Sequence, residues 1–121
     1  MVVFFIDDSA MIQALYRLSS KIFLPEAEVV IASGCEEALE AMDHIFPDVM
    51  ITDWSMTDGG GCRMVKKALK RNLPLEKIII VSGRQPDEIS REINGKIRIF
   101  QKPVDLPILF EAIKTALAIT V

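Results

Sequence analysis

The chain reads as an α/β protein of three layers, a five-stranded parallel sheet with helices on both faces. Two observations predict this. Five short apolar runs, mostly β-branched or aromatic, have the composition of strands covered on both sides. Segments of helical period separate them, and such alternation favours right-handed crossovers onto a single parallel sheet. At 121 residues the chain fits one domain, able to bury roughly two thirds of its unfolded surface.

Val2 to Ile6 is the first strand. Behind Ser9, residues Met11, Ile12, Leu15, Leu18 and Ile22 recur at helical spacing and are expected to cover one sheet face. Glu28 to Ala32 is the second strand, and Ser33 with Glu36 has capping-box spacing ahead of Ala38, Leu39 and Met42. Val49 to Thr52 is the third strand, followed after the glycines at 59 to 61 by Val65, Ala68 and Leu69 on a helix. Ile78 to Val81 is the fourth strand. From Pro86 to Ile93 only Ile89 and Ile93 offer core contacts before Asn94-Gly95, so the fourth helix should be short. Ile97 to Phe100 is the fifth strand, and Asp105 is the N-cap of a closing helix carrying Leu109, Ala112, Ile113, Ala116 and Leu117.

A net charge of -3 and a pI near 5.1, with no basic run, argue against direct nucleic-acid binding. Cys35 and Cys62 stand apart and His44 is the one histidine, so neither a disulfide framework nor a zinc site is indicated, and a reducing, cytoplasmic setting is expected. The apolar run at the start ends at Ile6 against two aspartates, far short of a membrane span or a signal peptide.

Four of the strands run into polar residues: Asp7-Asp8, Asp53, Ser82 and Lys102-Pro103. In an open parallel sheet ligands bind beyond the carboxyl ends of the strands, so these residues converge. Acids about 5 Å apart repel by roughly 3 kcal/mol per pair at an effective dielectric near 20, and something positive must compensate. Lys102 supplies one charge. The carboxylate-rich, oxygen-only set also suits Mg²⁺, expected on Asp8 and Asp53 with Asp7 partly through water. Such a site can line up a phosphoryl group with a carboxylate nucleophile.

These residues resemble the receiver domains of two-component response regulators, flavodoxin-like proteins that accept phosphate from histidine kinases. The resemblance spans residues 1–121 and rests on Asp7-Asp8, the Asp53-Trp54-Ser55-Met56 segment with Gly61 eight residues after the acid, Ser82-Gly83 and Lys102-Pro103. It implies a single-domain, flavodoxin-like (βα)5 sandwich with strand order 2-1-3-4-5. It further implies that Asp53 is the phosphoacceptor and that Asp7, Asp8, Asp53 and the Ser55 backbone carbonyl hold Mg²⁺, with Mn²⁺ as a substitute. Ser82 is similar to the switch hydroxyl and Lys102 to the phosphate-binding lysine, and a cis peptide is expected before Pro103. The implied partners are a sensor histidine kinase or histidine phosphotransferase and a downstream target or output domain, with room for a dimer. The protein would catalyse its own phosphorylation and dephosphorylation.

The chain departs from the family pattern at three places. Thr57 stands where many members have proline, and Gly60 where an acid often precedes the glycine. Ile99 replaces the tyrosine or phenylalanine that changes rotamer on activation, and Phe100, one residue on, points to the other face of its strand.

Taken singly, each motif has a plain structural reading: Asp-Asp before a helix as a cap, Ser82 as a turn hydroxyl, Lys102 and Arg84 as surface charges. Their coincidence at four strand ends favours function. His44 is expected on the surface near a helix end, and the methionines and cysteines as core or half-buried filler. The leading expectation is a phosphorylation-operated switch. A binding module that does not depend on phosphate is the alternative, motivated by Ile99 and Thr57. An aspartyl phosphatase of the haloacid-dehalogenase type is disfavoured, because its D-x-D arrangement is absent from the first strand.

Overall fold

A computed structural model describes residues 1–56, 60–92 and 97–119. Five strands form one parallel sheet: β1 (Val2–Ile6), β2 (Glu28–Ala32), β3 (Val49–Asp53), β4 (Ile78–Ser82) and β5 (Arg98–Gln101), in the order β2-β1-β3-β4-β5. Five helices connect or follow them: α1 (Ala10–Phe23), α2 (Cys35–Met42), α3 (Gly60–Lys70), α4 (Pro86–Glu92) and α5 (Leu106–Ala118). The predicted architecture and strand order are those observed. β3 and β4 each run one residue further than the apolar runs, ending on Asp53 and Ser82, and β5 is shifted one residue on.

Alternation along the strands divides the core. Val3 and Phe5, Val49 and Ile51, and Ile79 and Val81 face α1 and α5, while Phe4 and Ile6, Met50, and Ile78 and Ile80 face α2, α3 and α4. Ile99 packs on the second side and Phe100 on the first, so the expected opposition of these neighbours holds. The central strands β1, β3 and β4 are buried nearly throughout, which is why their sequences are continuously apolar instead of alternating.

The first helix departs from expectation in its facing. Ser9 is its N-cap, its Oγ accepting from the Ile12 N–H at 3.3 Å. The stripe of Met11, Leu15, Leu18 and Ile22, however, is exposed, and the sheet side is made by Tyr16, Ser19 and Ser20 with Ile12 and Phe23 half-buried. Two serines disguised the inner stripe. Ser20 is tolerated there because its Oγ donates to the Tyr16 carbonyl at 2.6 Å, leaving nothing unsatisfied. Tyr16 in turn stacks on Phe5 with ring centroids 4.5 Å apart.

Smaller corrections concern the other helices. The N-cap of α2 is Gly34, and Glu37, not Glu36, reaches back to Ser33, accepting from its Oγ at 2.8 Å. Glu36 instead pairs with Arg63 on α3. Leu69 is exposed, whereas Met56 is buried. Met1 and Met11 are also exposed, so methionine is not uniformly core filler here. Asp105 caps α5 as expected, accepting from the Ile108 N–H at 3.2 Å. At its other end the buried Lys77 donates to the carbonyls of Ala116 and Ile119 at 2.5 and 2.6 Å, meeting the negative pole of the helix. Ile93, Asn94, Gly95 and Thr57 lie outside the described residues. Among the described residues no helix is long and apolar enough to cross a membrane.

Candidate functional site

The chain leaves β1 toward β2 on one side and returns to β3 on the other, so the sheet order reverses between β1 and β3. Ligands bind at such a point. The register pairs Ile6 with Thr52, which sets Asp7 beside Asp53, and pairs Ser82 with Gln101, which sets Lys102 just beyond Ser82. The Lys102 N–H donates to the Ser82 carbonyl at 2.8 Å, fixing that last step.

One carboxylate oxygen from each of Asp7, Asp8 and Asp53 lies within 4.8 Å of the other two. Asp7 and Asp53 are buried and Asp8 is exposed, so the cluster opens to solvent on the Asp8 side. Lys102 Nζ reaches both buried acids, 2.9 Å from Asp7 Oδ2 and 3.2 Å from Asp53 Oδ2. Burial is the largest single influence on this ammonium and pulls its pKa down, but the Asp7 hydrogen bond and the charges of Asp53 and Asp7 outweigh it. The net effect holds Lys102 above the ordinary lysine value. One ammonium set against three carboxylates leaves two negative charges over. Hard oxygen donors with that surplus fit a divalent cation.

Neighbouring groups fix the acids. The Ser9 N–H donates to Asp7 Oδ1 at 2.9 Å, and Gln13 Nε2 holds the Asp7 carbonyl at 2.8 Å. The Ser55 N–H donates to Asp53 Oδ1 at 3.3 Å, so Ser55 joins the site through its backbone. Thr52, wholly buried, donates from Oγ1 to the Asp53 carbonyl at 3.0 Å. Ser82 sits at the adjoining strand end, its Oγ accepting from the Arg84 N–H at 3.2 Å. The Arg84 side chain turns to Glu88 at 3.4 Å.

Two glycines close the loop after Asp53. Gly60 has φ of 68°, a conformation that glycine adopts without strain. A Cβ on Gly61 would fall onto the Asp53 carbonyl oxygen and the Trp54 backbone. The helix α3 thus starts hard against the backbone that carries Asp53, and the Gly61 N–H donates to the Trp54 carbonyl at 2.8 Å. The expected cis peptide at Lys102-Pro103 is present.

The structure therefore brings Asp7, Asp8, Asp53 and Lys102 together, with Ser55 and Ser82 on the adjoining backbone. The family model for the response regulator receiver domain matches residues 3–114. The chain belongs to that family.

Solved receivers have the same fold. A CheY-like response regulator receiver domain protein from Methanospirillum hungatei is 27% identical with a TM-score of 0.84, covering 96% of this chain and 92% of that one. A receiver domain protein from Clostridium thermocellum is 27% identical with a TM-score of 0.81, over 96% and 93% of the two chains. The response regulator domain of Thermotoga maritima CheB is 26% identical with a TM-score of 0.77, over 100% and 98%. Among curated proteins none matches the chain. As a receiver it belongs to two-component signalling, with kinases on one side and output partners on the other.

Reading the receiver from sequence missed Tyr16. It lines a groove of about 390 Å³ between α1 and the segment after β5, together with Leu15, Lys102 and Pro103. Its hydroxyl is pushed above the ordinary tyrosine value, first by burial and then by the charges of Asp7 and Asp53. The signal is present as the chain's one tyrosine, within a helix whose outer stripe is more apolar than its inner one. Gln13 and Thr52 carried no such signal, since their roles depend on backbone carbonyls that sequence does not place.

Proposed function

We propose that this receiver is a phosphorylation-operated switch whose acceptor is Asp53. The observation that supports it most is the meeting of Asp7, Asp8 and Asp53 with Lys102 bonded to both buried acids. The unit acting in this way spans residues 1–121 and works in the cytoplasm.

An Asp53 carboxylate oxygen attacks phosphorus, a P–O bond forms, and the bond from phosphorus to the donor breaks, its electron pair leaving with the donor. From a kinase or phosphotransferase the leaving atom is an imidazole nitrogen; from acetyl phosphate it is an acetate oxygen. Lys102 shifts its hydrogen bonds from the acids toward the new phosphoryl oxygens, because its ammonium already lies within 3.2 Å of Asp53. Asp7, Asp8, Asp53 and the Ser55 carbonyl hold Mg²⁺, or Mn²⁺ in its place, and the bound cation supplies neutralising charge for the phosphoryl oxygens. Phosphorylation adds about -1.5 to -2 charges, and the Ser82 hydroxyl leaves the Arg84 N–H to donate to that phosphoryl group. Water later attacks phosphorus and releases inorganic phosphate. The protein is its own catalyst for both steps, and the assembled cluster weighs against a module indifferent to phosphate.

Incubation with Mg²⁺ and acetyl phosphate should add one phosphate by mass spectrometry, lost in Asp53→Asn, with a change in the fluorescence of Trp54. An unchanged mass with acetyl phosphate and with phosphohistidine donors would overturn the reading.

A further inference from the structure

Strand β2 lies at an edge of the sheet and pairs with β1 alone. In a parallel ladder alternate residues turn their main-chain groups toward the same neighbour. The Glu28 N–H donates to the Met1 carbonyl at 2.8 Å and the Asp7 N–H to the Ala32 carbonyl at 3.1 Å, so residues 28, 30 and 32 spend their groups on β1. Those of Val29 and Ile31 point out of the sheet. Just before and just after them the chain is closed: the Ala27 N–H donates to the Leu24 carbonyl at 3.1 Å and the Ser33 N–H to Glu37 Oε1 at 3.3 Å. Between these, the N–H and C=O of Val29 and Ile31 have no partner among the described residues. Such an edge is a template for one more strand. Beside it runs a groove of about 350 Å³, lined by Val29 and Ile31 from the strand and by Arg17, Ser20 and Lys21 from α1. Arg17 and Lys21, one helical turn apart, are exposed, and neither has an acidic partner among the described residues. Two unneutralised cations above one side of an open edge set the chemistry of what can lie there.

We propose that β2 takes up an extended acidic segment of a partner protein as a sixth strand. The partner's main chain bonds Val29 and Ile31, and its side chains on the α1 side are carboxylates that meet Arg17 and Lys21. The side chains between them fall on the other face of the sheet, where Val30 and the exposed Glu28 stand, so those are apolar or basic. The recognised strand thus alternates acidic residues with apolar or basic ones. Charge rejects a second copy of this chain in that place. Antiparallel edge pairing about a two-fold axis keeps both α1 helices on one face of the joined sheet, and four cations would crowd the join. None of these residues belongs to the acidic cluster of Asp7, Asp8 and Asp53, so docking here does not require phosphoryl transfer.

A dye-labelled peptide of alternating glutamate and valine, titrated with the full chain and followed by fluorescence anisotropy, tests this, with alternating lysine and valine as the control. The glutamate peptide should bind about tenfold more tightly or better, although the chain's net charge of -3 favours the lysine peptide. Lys21→Glu should weaken that binding by about tenfold. Ile31→Pro removes an outward N–H and no bond to β1, so it should abolish binding with an unchanged circular dichroism spectrum. Amide exchange at Val29 and Ile31 of the unsubstituted chain should slow when the glutamate peptide is added, a measurement that holds even where Ile31→Pro does not fold. Equal binding of the two peptides, no binding of the glutamate peptide at about 1 mM, or exchange left unslowed at both amides overturns the proposal. Binding lost in Lys21→Glu but kept in a folded Ile31→Pro reduces the surface to an anion site and also overturns it. Self-association that disappears in Ile31→Pro assigns the edge to a second copy and overturns it too.

Discussion

Lys102 Nζ lies 2.9 Å from Asp7 Oδ2, a contact between residues 95 apart in sequence that spans the sheet from the end of β1 to the end of β5. It is shorter than the 3.2 Å contact of the same ammonium with Asp53. Asp7 thus anchors the lysine while Asp53, the proposed acceptor, shares it with the looser hold.

Replacing Lys102 by methionine keeps the chain length and removes the charge. Asp7 and Asp53 are then buried as carboxylates without their cation, and hydrogen bonds to charged groups contribute about 1.5 to 3 kcal/mol each. Lys102→Met should therefore lower stability by about 2 kcal/mol in chelator at neutral pH, read by urea denaturation. The folded-state pKa of Lys102 is raised above 10.5. Its contribution is accordingly complete below 10.5 and is lost as pH rises through the folded value. The gap between wild type and variant should stay constant from neutral pH to about 10 and close above that.

The acids should respond in the opposite sense. Without a cation, carboxylates within 4.8 Å of one another repel. The interaction is roughly 3 kcal/mol per pair at an effective dielectric near 20, and less where Asp8 meets solvent. Asp8→Asn should stabilise the metal-free protein by about 1 kcal/mol while abolishing any rise in Tm on adding Mg²⁺. A variant that loses stability yet still responds to Mg²⁺ would place the ion elsewhere.

Much of this site was legible because the sheet is parallel: residues directly after apolar runs must share one end, so Asp7, Asp53, Ser82 and Lys102 could be gathered without coordinates. The facing of α1 was not legible. Its inner stripe contains Ser19 and Ser20, whose burial depends on local hydrogen bonding, and its outer stripe is the more apolar of the two. Hydrophobic periodicity reports that a helix has a face, and it names the core face only when the other side is polar. The need for glycine at 61 was not legible either, because it comes from close approach to the backbone of Asp53 and Trp54.

That contact yields a third expectation. In Gly61→Ala the new methyl meets backbone atoms of Asp53 and Trp54, which cannot rotate away. Overpacking of this kind costs about 1 to 3 kcal/mol, and the upper end applies because both neighbours are main chain. The shift should appear in denaturation midpoints and in Trp54 fluorescence, since the ring of Trp54 also borders the added carbon. Wild-type stability and an unmoved emission spectrum would show that the loop yields without disturbing Asp53.

In the proposed switch, Ser82 would separate chemistry from response. Its hydroxyl is wholly buried and in the unphosphorylated protein accepts from the Arg84 N–H at 3.2 Å. In Ser82→Ala that N–H loses its acceptor, and a net hydrogen bond is worth about 1 kcal/mol, so a loss of that order is expected. Asp53 and Lys102 keep their positions, because the Lys102 N–H is held by the Ser82 carbonyl and not by its side chain. Ser82→Ala should therefore still gain one phosphate from acetyl phosphate while losing the rearrangement that the hydroxyl drives. With Ile99 half-buried against the α4 side in place of an aromatic, no large ring on β5 there can substitute for that movement. Amide exchange in β4 and α4, compared with and without acetyl phosphate, should change in wild type and remain flat in the variant. Equal responses in both would assign the conformational coupling to Lys102 alone.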